Sequence, residues 1–521
     1  MSGEAVKVKS ISLPAPTGGL NLVANPWALQ QTEARVLDNY YVHDWGIRQR
    51  GRSDFEETLD DSSESEVGQM VRYYDTSGVG YVLVCTDKNV YRWGGATVTT
   101  NKTASVTITT PFTSSCIFNK KIFLVNGTDA GAIYDIATEA LTTVTTTPNM
   151  SSFTHVWNYK NRLYGSAGTT IYYGAVDAVA GTLTSLDIAS TLNESGKIAW
   201  GSSWSVNQGD QNEDLMAIGM TSGEILIYSG DWPASPNWQL VSRVKGPAPV
   251  GQNPVTQFGQ DLLITTARGV VSLRSIVATA SSGEALYVVT RKLGDILANF
   301  TGNADIAFSI LTPFMYLLAP AYNGSGRSGY HEQSVWVLNY ELGAWSQLRF
   351  PLGGEGEEIQ AIEFLPGGSD EGRLIFAVGG GSDVKLYRVR LITGEEDTAV
   401  YFDWRTPFFD LGTKGQKVVK FIRALSRYVA GANAATRNVV SISASSDFAD
   451  PATAQTDTAS TAETTYDADL VYPYRLQELS PPGVGQYISV AFGKNSLGEN
   501  NGEVNDLAGV EIYYEEERGA Y

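Results

Sequence analysis

The side chains that could do chemistry are few and scattered. The sequence holds three histidines, His43, His155 and His331, too far apart along the chain for a local metal-ligand pair. It holds two cysteines, Cys85 and Cys116, which allow one bridge but no disulfide framework and suit a reducing compartment. There is no H-E-x-x-H, no G-x-S-x-G elbow, no G-x-x-x-x-G-K-[ST] phosphate loop and no EF-hand loop. No cofactor and no metal is therefore expected, and no catalytic residue stands out. Triads built from distant residues leave no local signature, so a missing motif is not a proof.

Paired carboxylates are harder to dismiss, because a glycosidase pair is easily hidden among 56 acidic residues. Sialidase-like propellers carry repeated Ser-x-Asp-x-Gly-x-x-Trp boxes on their turns. Ser229-Gly230-Asp231-Trp232 begins in that manner, but Pro233 stands where the glycine belongs and nothing repeats it. This segment reads as a loop whose Trp232 packs locally.

Two cationic sets stand out. Arg48, Arg50 and Arg52 alternate at period two, so in a strand they would share one face and offer a contact for a neighbouring subunit or DNA. Ion pairing to acids of the same chain is the simpler use of such a row. Lys414, Lys417, Lys420 and Arg423 would not share one face of a strand, and a solvated surface is expected there.

The elements that must position these groups are β-strands. The chain has 27 Tyr and 11 Trp, which favour pleated surfaces, and 53 Gly to supply turns. At 521 residues it exceeds what one core usually organises. No apolar run reaches the length of a membrane span, and the polar segment Met1 to Ser10 has no secretory core. The formal charge of -19 argues against a grip on nucleic acid.

Short β-runs at Met70 to Tyr74, Tyr81 to Cys85 and Val90 to Trp93 form a unit that recurs from Cys116 and again from Thr154. Similar groups continue to about residue 400, with the spacing of four-stranded propeller blades. Six to seven blades are expected. Before them, Thr32 to Leu37 reads as a short helix capped by Thr32, and Asn39 to Arg52 as a strand pair turning near Asp44 to Gly46. Leu293, Ile296, Leu297 and Phe300 have helical spacing. Ser441 to Leu470 is rich in Ala, Ser, Thr and Asp and reads as an exposed loop, while Gln486 to Phe492 and Ala508 to Tyr514 read as strands. The expected organisation is an all-β chain. Residues 1–59 form an opening segment, 60–400 a six- to seven-bladed β-propeller, and 401–521 a β-rich domain that shares a platform with the opening segment.

The order of several motifs resembles the tail nozzle (tail hub) proteins of short-tailed bacteriophages, the podoviruses. Gly18-Gly19-Leu20-Asn21, Asn25-Pro26, Leu29, Glu33-Ala34, Leu37-Asp38-Asn39, Gly46 and Arg50-Gly51 follow that pattern at the start. Asn161-Arg162-Leu163, Ile171-Tyr172-Tyr173 and Gly223 to Gly230 with Pro233 and Asn237-Trp238 follow in the middle. Gly259-x-Asp261 to Thr265, Gly269-x-Val271-x-Leu273, Gly343-Ala344-Trp345 and Phe408-x-x-Leu411-Gly412 complete the series. The resemblance covers about residues 14 to 428.

The resemblance implies a structural virion protein rather than an enzyme. It implies a homo-oligomer: a hexameric ring below the portal and its head-tail adaptor ring, docking tail fibres or spikes and passing viral DNA without specific binding. Such a protein assembles in the host bacterial cytoplasm and resides in the virion tail. Six copies at -19 each would carry a formal -114, suited to a channel along which DNA slides. The competing expectations are a propeller enzyme that degrades glycans and a carbohydrate-binding tail protein for receptor recognition.

Overall fold

The computed structural model describes residues 7–516 except 52, 60–62, 96–99, 102–104, 208–211, 283–284, 295–304, 310–311, 319–330, 353–356, 366–373, 382, 390–401, 413–414, 429–439, 448–454, 460–473, 480–482 and 495–504. Strands supply nearly all the regular structure, with a single α-helix, Leu273–Ser282, among the described residues. The chain is all-β.

Seven successive sheets occupy the middle of the chain. The first contains Val67–Tyr74, Gly80–Thr86, Val90–Trp93 and Thr100–Asn101, and the second Ser114–Phe118, Lys121–Val125, Ala132–Asp135 and Ala140–Thr143. The third contains His155–Tyr159, Arg162–Ala167, Thr170–Tyr173 and Thr184–Asp187, and the fourth Ile198–Asn207, Asn212–Met220, Glu224–Ser229 and Gln239–Lys245. Each runs as antiparallel neighbours in chain order. Tight two-residue turns join the first strands of the second and third sheets. Asn119 and Lys120 (φ 47° and 59°), and Lys160 and Asn161 (φ 47° and 54°), both adopt the left-handed pair that matches strand twist.

The fifth sheet has three strands, Val255–Phe258, Asp261–Thr266 and Gly269–Ser272, and the helix follows directly. The Ser272 hydroxyl accepts from the Ser275 amide at 3.1 Å, capping that helix, while Leu273 and Ile276 bury its inner side. The sixth sheet contains Asp305–Phe308, Phe314–Leu318, His331–Asn339 and Ala344–Leu352. The seventh contains Glu358–Phe364, Leu374–Gly379 and Val384–Val389, and its fourth strand comes from far back in the chain: Ser53–Leu59 pairs antiparallel with Val384–Val389.

Alternation along the strands explains why both faces of these sheets are apolar. In the fourth sheet Met216 and Ile218 pack toward the third, and their neighbours Leu215 and Ala217 pack toward the fifth. Cores of this kind join the first sheet to the second, the second to the third and so on. Another joins the seventh to the first, combining Ile375, Ala377 and Leu386 with Met70, Val82, Val84 and Trp93.

The two chain ends build a second region. A seven-stranded sheet takes Lys9–Pro14, Tyr40–His43 and Gly46–Gln49 from the start and Lys417–Tyr428, Tyr474–Leu479, Gly483–Gly485 and Asn505–Glu516 from the end. The sixth sheet is continued by Val36–Asp38, Phe402–Arg405, Ile488–Lys494, Val440–Ser446 and Gln455–Ala459 into one nine-stranded sheet. One core spans this region and reaches Leu263, Val270 and Leu317 of the fifth and sixth sheets.

Several local expectations change. The helix expected over Thr32 to Leu37 is absent: Glu33–Ala34 pairs in parallel with Gly19–Leu20, and Val36–Asp38 joins the nine-stranded sheet. The segment gains more from two sets of distant partners than from one marginal turn of helix. The expected loop from Ser441 to Leu470 contains two strands, Val440–Ser446 paired with Gln455–Ala459. Ser53–Leu59 lies before the expected boundary at residue 60, yet its hydrogen bonds place it in the seventh sheet. Around Leu293 the structure has a 3-10 turn, Arg291–Leu293, and Ile296 to Phe300 lie outside the described residues. The Tyr40–His43 and Gly46–Gln49 hairpin stands where the strand pair was expected.

Candidate functional site

Motifs from the start of the chain, the fifth and sixth sheets and residues 408–412 meet at the junction of the two regions. Asn161 to Leu163, Ile171 to Tyr173 and Gly223 to Trp238 lie instead in the third and fourth sheets. Gly19 has φ 74°, and a Cβ there would lie 2.5 Å from the Trp345 amide nitrogen, so the Gly-Gly-Leu-Asn turn presses on the Gly-Ala-Trp turn. Asn21 Nδ2 donates to Glu33 Oε1 at 3.1 Å, and Lys292 Nζ lies 3.2 Å from the same carboxylate. The Asn39 carboxamide oxygen accepts from Arg50 Nε at 2.8 Å and from the Arg349 amide at 2.8 Å. Asp38 pairs with Arg349 at 3.0 Å. Arg35 lies over the Phe408 ring at 4.3 Å, and Tyr514 donates its hydroxyl proton to the Leu411 carbonyl at 3.0 Å. Motifs hundreds of residues apart in sequence thus form one packed joint.

The arginine row is not one surface. Arg48 sits in the Gly46–Gln49 strand beside Trp45, with its guanidinium 5.2 Å from that ring. The strand ends at Gln49, so period-two alternation does not extend to Arg50. Arg50 is buried, donating to the Gly51 and Arg349 carbonyls at 2.8 Å each and lying 4.5 Å from the Phe350 ring centroid. It serves the junction from inside and offers no surface to a neighbour. Arg52 lies outside the described residues. The second cationic set is also dispersed. Lys417 is buried on the Gly415 and Gln486 carbonyls, and burial lowers its pKa. Lys420 pairs with Glu515 at 2.7 Å, Arg423 stacks near Tyr513, and Lys414 lies outside the described residues.

The groups with catalytic potential stay apart. His43 stacks on Trp45 with ring centroids 5.0 Å apart, and His331 lies in a strand of the sixth sheet. His155 contacts the Gln252 carbonyl at 2.9 Å, and burial lowers its pKa to about 4, so its ring is neutral at pH 7. Cys85 and Cys116 are buried and unbridged, with burial pushing both thiols up to about 12. Among the described residues no group of three or more His, Cys, Asp or Glu side chains could hold a metal ion.

Sequence reasoning passed over two features. The first is an acid pair on adjoining first strands: Asp305 of the sixth sheet and Glu363 of the seventh. Burial raises Asp305 to about 6, opposed in part by the Ile362 and Ile306 amides, and Glu363 to about 7, opposed in part by Arg72 at 3.8 Å. The second is a cleft of about 620 Å³ at the turns of the second to fourth sheets, lined by Tyr159, Asn161, Arg162, Asp214, Asp231 and Trp232 among others. The Asp231-Trp232 loop singled out in the sequence forms one of its walls, and Trp232 packs locally beneath Arg162 at 4.5 Å.

No protein-family model matches the sequence, and no curated protein matches it. Among solved structures, the crystal structure of Raptor from Chaetomium thermophilum is similar at 10% identity and a TM-score of 0.39, over 66% of this chain and 30% of that one. The WD40 β-propeller domain of Doa1 is similar at 11% identity and a TM-score of 0.37, over 64% of this chain and 96% of that one. Neither likeness bears on what the chain does. Among the described residues no helix is long and apolar enough to cross a membrane.

Proposed function

We propose that the chain is a structural protein of a short-tailed phage virion, in which the seven sheets close into one β-propeller and the joined chain ends form the platform of a homo-oligomeric ring. Closure of the propeller is supported by the core between the seventh and first sheets and by Ser53–Leu59, which completes the last blade from the other end of the chain. The observation that carries the tail reading is the junction, where the motifs of the chain start that resemble tail nozzle proteins pack against Gly343-Ala344-Trp345 and Phe408 to Gly412. A common joint is what those motifs would encode if each served the same platform.

The platform also has an edge available for assembly. Lys9–Pro14 pairs with Asn505–Glu516 on one side, and its other side pairs with no strand among the described residues. A strand edge of this kind accepts a strand from a neighbouring copy. In this reading the propellers point outward, the ring stands beneath the head-tail adaptor, and fibres or spikes dock outside. The acidic chain, at -19 per copy, would wall a channel that DNA traverses without sticking.

Native mass spectrometry of the full chain tests the reading. A closed ring, near six copies of 56.2 kDa, is expected. A monomer or trimer that persists at high concentration would contradict it.

A further inference from the structure

The cleft at the turns of the second to fourth sheets belongs to neither the junction nor the platform edge. Its floor is held rigidly. Tyr159 shares its hydroxyl proton between the Asp214 and Gly230 carbonyls, at 2.9 and 2.7 Å, which ties the third sheet to two segments of the fourth. The Lys160-Asn161 turn that follows is left-handed at both residues, the geometry of a tight two-residue hairpin. Arg162 is clamped between the Trp232 ring at 4.5 Å and the Gly174 carbonyl, to which it donates at 2.9 Å.

The polar groups are ordered before any ligand arrives. Asp214 accepts from the Ser205 hydroxyl at 2.7 Å, with Lys160 Nζ at 3.6 Å. Asp231 accepts from Asn237 Nδ2 at 3.0 Å. A carboxylate accepts at about four lone-pair sites and a guanidinium donates through about five N–H groups. Both types therefore retain capacity toward the cleft.

The lining narrows the ligand class. A polyanion needs an excess of cations, and here Lys160 and Arg162 are matched by Asp214 and Asp231. A lipid or apolar peptide needs a mainly hydrophobic wall, and this one interleaves amide, hydroxyl and charged groups with Trp232, Val176 and Phe118. A sugar presents hydroxyl pairs at its edge and C–H groups on its faces, which match planar carboxylate and guanidinium groups beside apolar surface. The volume of about 620 Å³ lies within the range of roughly 300–1,000 Å³ usual for small-ligand sites.

We propose that this cleft binds a neutral saccharide chain, as a recognition site and without cleaving it. Both carboxylates act as fixed acceptors for sugar hydroxyls, and Arg162 and Asn161 act as donors. The site stands independently of the ring reading, because it lies wholly within the propeller.

Saturation-transfer NMR and calorimetry on the full chain test this. The probes are short linear oligosaccharides of glucose, mannose and N-acetylglucosamine, with a uronic-acid oligosaccharide and a single-stranded oligonucleotide as polyanion controls. Binding of a neutral probe is expected, weakened roughly 10-fold or more by Asp231→Asn and by Asn161→Ala, with circular dichroism and melting unchanged. Both residues are exposed, so their replacement leaves the core intact. The proposal is overturned if no neutral probe binds, if both variants bind as the parent does, if a polyanion is preferred, or if the probe is hydrolysed.

Discussion

Arg50 at the junction and Arg162 in the cleft show two uses of the same side chain. Arg50 is enclosed, with Asn39, the Gly51 and Arg349 carbonyls and the Phe350 ring around it. Arg162 is half-buried, rests on Trp232 and donates to one carbonyl, and faces an open cleft. The difference lies in the backbone around each. At the junction the Gly51 and Arg349 carbonyls turn inward and need a donor. At the cleft Arg162 donates to the single Gly174 carbonyl and lines the opening, so part of the guanidinium faces the cleft. The joint is a place where removal destabilises, and the cleft is a place where removal changes recognition.

The largest test of that contrast is Trp345→Ala. Trp345 is buried in the core of the junction and donates its indole proton to the Val289 carbonyl at 3.2 Å. Its loss should cost about 3–5 kcal/mol in a denaturant titration. Arg50→Ala should follow at about 2–4 kcal/mol, because inward carbonyls lose their donor, whereas Arg162→Ala should cost under about 1 kcal/mol. Equal costs for the two arginines would remove the distinction.

A pH experiment probes the acid pair. Glu363 has a folded pKa near 7 against an ordinary 4.5, so the folded state holds its proton more tightly. Its contribution is complete below about pH 4.5 and is lost as the pH rises through 7. Compared with the parent, Glu363→Gln should lose that decline across the same window, a difference on the order of 1–3 kcal/mol. Identical pH profiles would contradict the assignment. The smallest expected effect is on the cleft side: Asp231→Asn should leave the melting temperature unchanged, and a marked drop would make Asp231 a structural residue.

How much was legible in the sequence depended on where the partners lie. The repeated hairpins were readable because their signals are local: short β-runs such as Tyr81 to Cys85 and Val90 to Trp93 that recur along the chain. The strand Ser53–Leu59 carried no sign of its destination, because its partner Val384–Val389 lies at the other end of the repeats. The helix signal at Thr32 and Glu33 was genuine but outweighed: the Glu33 carboxylate accepts from Asn21 and the Gln30 amide, and the Gly18 amide donates to the Thr32 carbonyl. The helix Leu273–Ser282 could have been found from Ser272 as its cap and the alanines that follow. Arg50 was misplaced because its strand stops one residue short of it. The cleft could not be read, since it gathers turns from three separate sheets.

In the proposed ring the chain ends, not the repeated sheets, make the contacts between copies. Electron microscopy of the assembled full chain tests it most directly. A closed ring is expected, with the seven-stranded sheet of Lys9–Pro14 and Asn505–Glu516 around the axis and the repeated sheets radiating outward. A ring whose axis is lined by the repeated sheets, or particles with no ring at all, would contradict it.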